Sequence, residues 1–170
     1  MDDFGPIDER LQRVKTRMPD FALEPTRLAR MTNLLQKVLR EAMNGALKKY
    51  GLVDSSYTVL AVLYGSAGES STASSLGEAC YEKPANLTRV CDDLMARGLI
   101  GRSPKPGDRR VVLISLTPLG IALVKQAIPD VSNTIAAAYA DISAPELRVL
   151  TDLNLRLLAT LKAMSDAVPA

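Results

Sequence analysis

Apolar residues recur every three or four positions along most of this chain, and the recurrence breaks at proline, glycine and runs of small polar residues. Leu11, Val14 and Met18 share one side of a short amphipathic helix over 8–18, with arginines opposite and Pro19 at its end. A long helix is predicted from Pro25 to Tyr50, where Leu28, Met31, Leu35, Val38, Ala42 and Leu47 keep the helical spacing until Gly51 stops it. Asp54 is expected to cap a third helix carrying Tyr57, Leu60, Leu63 and Tyr64 and ending at Gly65. The small polar residues Ser66–Ser71 read as loop.

Two compact helices follow. Thr72–Cys80 is expected to turn Ala73, Leu76 and Ala79 inward. Pro84–Arg97 carries Leu87, Val90, Cys91 and Leu94 on one face, with Gly98 as a left-handed stop. The few residues between them, Tyr81-Glu82-Lys83, suit a helix-turn-helix. The pattern then changes to two short strands, from Gly98 to Arg102 and from Val111 to Leu116, joined by a polar turn. Thr117 and Pro118 have the residue types of a cap and first position for a further helix to Ala140, which Pro129 is expected to kink. The last helix opens on a capping box, Ser143 with Glu146. Its apolar positions Leu147, Leu150, Leu157, Leu161 and Met164 keep a 3,4 alternation that also includes Asn154. That is a heptad seam, and a single Asn in one favours a defined register over maximal stability. A seam this apolar on a terminal helix reads as a shared dimer core, with packing inside one chain as the alternative.

Charge sharpens the picture at one place. The whole chain of 170 residues carries a formal charge of +2, yet Arg102–Arg110 alone holds Arg102, Lys105, Arg109 and Arg110 against Asp108, a local excess of three positive charges. A basic turn braced by two apolar strands is suited to contact the DNA backbone, because the field that matters is local. The outward face of the preceding helix shows Ala85, Asn86, Thr88, Arg89 and Asp92. Arg reads guanine, Asn reads adenine, and Ala or the Thr methyl meets thymine in a major groove. A solvated helix face and a solvated basic hairpin are the bland alternatives; the order helix, helix, strand, basic turn, strand favours the nucleic-acid reading.

Composition removes other classes. Histidine is absent, which takes away the usual general base and the commonest nitrogen ligand for metals. Two cysteines cannot build a closed zinc site within one chain, and no phosphate-cradling glycine motif occurs. No catalytic residue, metal or cofactor is therefore expected, and the chain is not read as an enzyme. No apolar run is long enough to span a bilayer, and the acidic start Met1-Asp2-Asp3-Phe4-Gly5 is unlike a secretory signal, so a bacterial-type cytoplasmic location is expected.

The hairpin resembles the wing of the MarR family of bacterial winged-helix regulators, whose signature is Asp-x-Arg at the wing tip followed by Leu-Thr-x-x-Gly. Those positions are Asp108, Arg110, Leu116, Thr117 and Gly120 here. Pro6-Ile7-Asp8 and the arginine-rich stretch after it are similar to the EmrR-type efflux-pump repressor branch. The resemblance, over about 25–165, implies a mainly α fold: a winged helix-turn-helix DNA-binding lobe over 53–117, with N- and C-terminal dimerisation helices in 1–52 and 118–170. It implies a homodimeric repressor on a pseudo-palindromic double-stranded operator, released by a small aromatic or drug-like effector bound between the lobe and the dimerisation helices. Ala85–Arg89 would lie in the major groove, Arg110 in the minor groove, and Asp108 would hold the wing Arg by a salt bridge. Reactive-cysteine and zinc-sensing branches are not matched.

The expected DNA-contacting set is thus Lys83, Ala85, Asn86, Thr88, Arg89, Arg102, Lys105, Asp108, Arg109 and Arg110, and the dimer set is Leu147, Leu150, Asn154, Leu157 and Leu161. Lys37, Arg40 and Tyr57 are candidate anchors for an acidic aromatic ligand, each reading equally well as an ordinary surface or core residue. The competing reading is a winged-helix protein-interaction module without ligand response.

Overall fold

The computed structural model describes residues 4–105 and 107–167, without the Arg109 side chain. Met1, Asp2 and Asp3 of the acidic start, Pro106 of the basic stretch, and 168–170 at the end of the expected dimerisation segment therefore lie outside the described residues.

Among the described residues, seven α-helices and three strands follow one another in the order α1 (Gly5–Arg17), α2 (Leu23–Leu47), α3 (Asp54–Gly65), β1 (Ser70–Thr72), α4 (Ala73–Cys80), α5 (Pro84–Ala96), β2 (Ile100–Lys105), β3 (Asp108–Leu116), α6 (Pro118–Ala138) and α7 (Ala144–Asp166). The first helix begins three residues before the periodicity suggests, because Pro6 sits in the first turn, where its missing N–H has no partner to lose. Arg27 of α2 ties α1 to α2 by bonding both Asp8 and Glu24. A 3-10 turn over Lys48–Tyr50 continues α2 to Gly51.

Local chemistry corrects three expectations. Asp54 does not cap α3: Val53 occupies the cap position, and the Ser56 hydroxyl three residues on accepts the Val53 N–H at 3.0 Å. Asp54 sits in the first turn and donates its N–H to Asn44 Oδ1. The segment 66–71 is not all loop, since Ser70–Thr72 pairs antiparallel with Leu113–Ser115, giving a sheet in the order β1-β3-β2. Such a strand escapes pattern reading because three small polar residues carry no alternation. In α4 the inward residues are Leu76 and Cys80, while Ala73 and Ala79 face solvent. Thr72 caps α4 by accepting the Ser75 N–H, and that fixes the rotation of the helix.

The chain parts into two compact units, residues 1–134 and 135–170. The first holds the core: Leu47, Val59, Leu60, Leu63, Leu76, Cys91, Leu94, Val124 and Val131 are all fully buried. Helix α6 remains helical through Pro129. Its start is clamped to β2 by Thr117, whose hydroxyl donates toward the Gly98 and Leu99 carbonyls and accepts the Gly120 N–H. Gly120 is required there, because a Cβ would lie 2.0 Å from the Leu99 carbonyl oxygen.

The second unit holds the end of α6 and α7. Ser143 and Glu146 form the expected capping box, with Glu146 Oε2 accepting the Ser143 N–H at 2.9 Å. None of the α7 side chains is buried; Leu157 and Leu161 stand 45% and 52% exposed. The stripe on α2 is likewise uncovered: Leu28, Met31, Leu35, Val38 and Ala42 are exposed, and of the expected series Leu47 alone is buried. Both helical patterns are real, and each leaves an apolar stripe uncovered within its own unit.

Candidate nucleic-acid interface

Helices α4 and α5 meet through the three-residue turn Tyr81–Lys83. The turn closes on itself through the Glu82 N–H bonded to the Gly77 carbonyl at 3.0 Å. Pro84 in the first turn starts α5, and Leu87, Val90, Cys91 and Leu94 bury its inner face as the spacing requires. The opposite face is open: Lys83, Ala85, Thr88, Arg89 and Asp92 are exposed, and Asn86 is half-buried. Asn86 bridges this face, donating to Glu82 Oε2 at 2.7 Å and accepting from Arg89 at 3.0 Å. Thr88 donates its hydroxyl to the Pro84 carbonyl, leaving its methyl for outside contact.

The far end of α5 is held by Arg97. Its guanidinium donates to the Gly51 carbonyl at 2.9 Å and lies 3.7 Å from Asp93. Sequence reading missed this anchor, since one arginine at a helix end carries no periodic signal. Gly98 then takes a left-handed φ of 68° and turns the chain into β2.

Strands β2 and β3 pair from Ile100↔Leu116 to Lys105↔Asp108, with an irregularity between Pro104 and Lys105. The strands reach further toward the tip than the apolar pattern alone suggests, so Arg102, Lys105, Asp108 and Arg110 all belong to the paired hairpin and are exposed. Asp108 accepts the backbone N–H of Arg110 at 3.1 Å. Among the described residues, Asp108 and the Arg110 guanidinium form no ion pair, and the Arg109 side chain, the other basic group at the tip, lies outside the described residues. The carboxylate shapes the tip and leaves the Arg110 head free to reach outward. Arg102 is different, being paired with Asp92 of α5 at 3.1 Å, which ties the base of the hairpin to the helix.

The three candidate ligand anchors have different surroundings. Arg40 pairs with Asp54 at 3.3 Å and lines a cavity of about 180 Å³ with Asn44, Glu82 and Asn86. Neither Lys37 nor Tyr57 lines that cavity; Lys37 lies near Glu41 on α2, and burial raises the Tyr57 hydroxyl's pKa. A larger, open cavity of about 620 Å³ is lined by Lys48, Lys49, Asp130, Asn133 and Thr134. There the Lys49 ammonium and the Tyr50 hydroxyl both bond Asp130, holding its carboxyl below the ordinary value. Both cysteines are buried free thiols. Burial, then the neighbouring Cys91 and Glu82, pushes the Cys80 thiol up to about 11, far from a reactive thiolate. No cluster of three metal-ligating side chains occurs among the described residues, and no helix there is long and apolar enough to cross a membrane.

Residues 52–112, from the start of α3 into β3, match the model of the MarR family. The chain carries a MarR-family domain. Over 163 residues it is 29% identical to the transcriptional repressor MprA of Escherichia coli strain K12, spanning 96% of this chain and 93% of that protein. MprA is EmrR, in keeping with the branch suggested by the opening residues. A MarR variant from E. coli, solved in complex with operator DNA, superposes with a TM-score of 0.71 at 23% identity, covering 85% of this chain and 96% of that one. CouR from Rhodococcus jostii RHA1, solved with p-coumaroyl-CoA, gives 0.66 at 24% identity over 84% and 94%. The fold is thus that of the MarR winged-helix regulators, with α4 and α5 as the helix-turn-helix and the β2–β3 hairpin as the wing.

Proposed function

We propose that this chain is a dimeric, sequence-specific DNA-binding transcriptional regulator, a repressor released by a small aromatic or amphipathic ligand. The observation that carries this reading is the single exposed surface made by α5 and the wing: Arg89, Lys105 and Arg110 face solvent around a helix face of small and hydrogen-bonding residues. Among the described residues, no large apolar side chain stands exposed on the outer face of α5, which speaks against a protein-docking module. In the proposed complex Ala85, Asn86, Thr88 and Arg89 enter the major groove, Arg110 enters the minor groove, and Lys83, Arg102, Lys105 and Arg109 neutralise phosphates. Arg102 contributes less than the others, because Asp92 already partners it.

The uncovered stripes of α2 and α7 supply the second half of the proposal. Residues 1–52 and 118–170 hold the dimerisation helices, and the α7 positions Leu147, Leu150, Asn154, Leu157 and Leu161 form part of the shared surface. The lobe over 53–117 then occurs twice about a two-fold axis and reads half-sites about one helical turn, ~34 Å, apart. The likeness to MprA and to a ligand-bound CouR supports control by a small organic molecule.

The test is selection of a duplex from a randomised pool, followed by anisotropy titration across ionic strength. A two-fold symmetric selected sequence and a steep fall of log K with log salt, with a slope of roughly −5 or steeper for six or more neutralised phosphates, are expected. Failure to enrich any sequence, or a flat salt response over a tenfold range, refutes the reading.

A further inference from the structure

Tyr81 stands out from every other side chain around the helix-turn-helix. Its backbone lies in the left-handed region, φ 53° and ψ 34°, closing α4 with its N–H directed at the Glu78 and Gly77 carbonyls. A helix end of this shape ordinarily takes glycine or asparagine, since a Cβ in that conformation crowds the carbonyl that follows. Among the described residues only Glu69 shares a positive φ without being glycine. The ring gives the fold nothing in return: it is 87% exposed, and its hydroxyl has no partner among the described residues. A strained backbone that keeps a large, solvated aromatic where a smaller residue would fold more easily points to contact outside the chain.

Position says what that contact is. Tyr81 precedes Pro84, the first residue of α5, by three peptide units, a span of at most ~11 Å. Glu82 beside it accepts from the Asn86 amide at 2.7 Å, which fixes the position of the carboxylate without neutralising its charge. With no other large apolar side chain on the outer face of α5, Tyr81 is not the centre of a hydrophobic patch. A phenol hydroxyl beside a groove-entering helix is suited to donate to a phosphate oxygen. We propose that Tyr81 is a positioning residue for DNA, its hydroxyl bonding the sugar–phosphate backbone and setting the depth at which the α5 N-terminus enters the groove. This inference rests on the DNA-binding function proposed above.

Two variants on the selected duplex test it: Tyr81→Phe, which removes the hydroxyl alone, and Tyr81→Gly, which removes the ring and the strain. Tyr81→Phe is expected to weaken binding about 100-fold, for one hydrogen bond to a charged oxygen lost in each half-site. Tyr81→Gly is expected to weaken it at least as much while its melting temperature matches or exceeds that of the parent. Both should leave the slope of log K against log salt unchanged, because a neutral donor releases no counterion, whereas Lys83→Ala should lower its magnitude by about one per half-site. Parent affinity in Tyr81→Phe overturns the proposal, whether or not Tyr81→Gly is weakened. A Tyr81→Gly protein that melts well below the parent also overturns it, because the ring would then be structural. If the parent chain itself selects no duplex, it is the DNA-binding function that fails, and the two failures are thereby distinct.

Discussion

Replacing Gly120 by alanine should be among the most damaging single-methyl changes available in this chain. The added Cβ would lie 2.0 Å from the Leu99 carbonyl oxygen and 3.0 Å from its carbon, and also 3.2 Å from Leu116 Cδ2. Real contacts of this kind do not fall below 3.0 Å, so the start of α6 must move about 1 Å away from β2. The same Leu99 oxygen accepts the Thr117 N–H at 3.1 Å and lies 3.2 Å from the Thr117 hydroxyl, and neither distance survives such a shift as a hydrogen bond. Loss of about one such bond and of the Thr117 cap costs about 1 kcal/mol each. Residual overpacking adds roughly 1–3 kcal/mol. A total near 3–5 kcal/mol consumes a large share of the 5–15 kcal/mol by which domains are typically stable, so the outcome ranges from a strongly shifted midpoint to failure to fold. The internal control is Gly45→Ala, a glycine in the last turn of α2 whose added Cβ would meet nothing within 4 Å. Helix propensity then predicts a gain, at most roughly 0.5–1 kcal/mol, from the identical chemical change. Urea unfolding at one fixed protein concentration measures both variants, since dimerisation makes midpoints concentration-dependent. A Gly120→Ala protein within about 0.5 kcal/mol of the parent would refute the steric argument.

Leu157→Asp and Leu161→Asp alter positions already half exposed within one chain, so the helical circular dichroism should persist while sedimentation shows monomer and operator binding is lost; an intact dimer in both places the interface elsewhere. With burial holding the Cys80 thiol at about 11, and Cys91 likewise buried and raised, an aromatic disulfide reagent at pH 8 should label neither cysteine readily until urea is added, and rapid labelling of the native protein contradicts the buried placement. Asp130 is held below its ordinary 3.8 by Lys49 and Tyr50, so its contribution to stability is present above that pH and is lost as the pH falls through the depressed value. Urea midpoints at pH 5 and pH 3 should therefore fall less in Asp130→Asn than in the parent; equal falls would show that the Lys49–Asp130–Tyr50 group does not stabilise the fold.

What could be read from residues alone follows the size of the side chains that carry each element. Leu87, Val90, Cys91 and Leu94 announce α5 and its buried face, because a four-residue apolar series has only one helical solution. The basic turn is legible because charge concentrates there, and Thr117 with Gly120 marks a helix start that the clamp on Leu99 confirms. Ser70–Thr72 is invisible in the pattern, since its strand character comes from the partner β3 and not from its own residues. The cap of α3 went to the wrong residue because Ser56 reaches back from inside the helix, a solution that Asp54 at the expected position obscures. The candidate ligand anchors were named by charge and aromaticity alone, and a residue type does not foretell its partner: Asp54, read as a cap, is instead the ion-pair partner of Arg40.

The short strand β1 has a consequence for how this protein can change over generations. It grips β3 only at Leu113, Ile114 and Ser115, whereas β2 accompanies β3 out to Asp108. The base of the hairpin is therefore flanked on both sides, with Ile114 buried beneath it, and a one-residue slip there would turn the buried row outward. Toward Lys105 and Asp108 the ladder has a single neighbour and, among the described residues, no buried side chain to protect. Substitutions, or even an added residue, at that end change what the hairpin touches without disturbing what it is built on. Lineages carrying this architecture can retune their outermost DNA contacts independently of their stability, and engineered libraries should be confined to the same stretch.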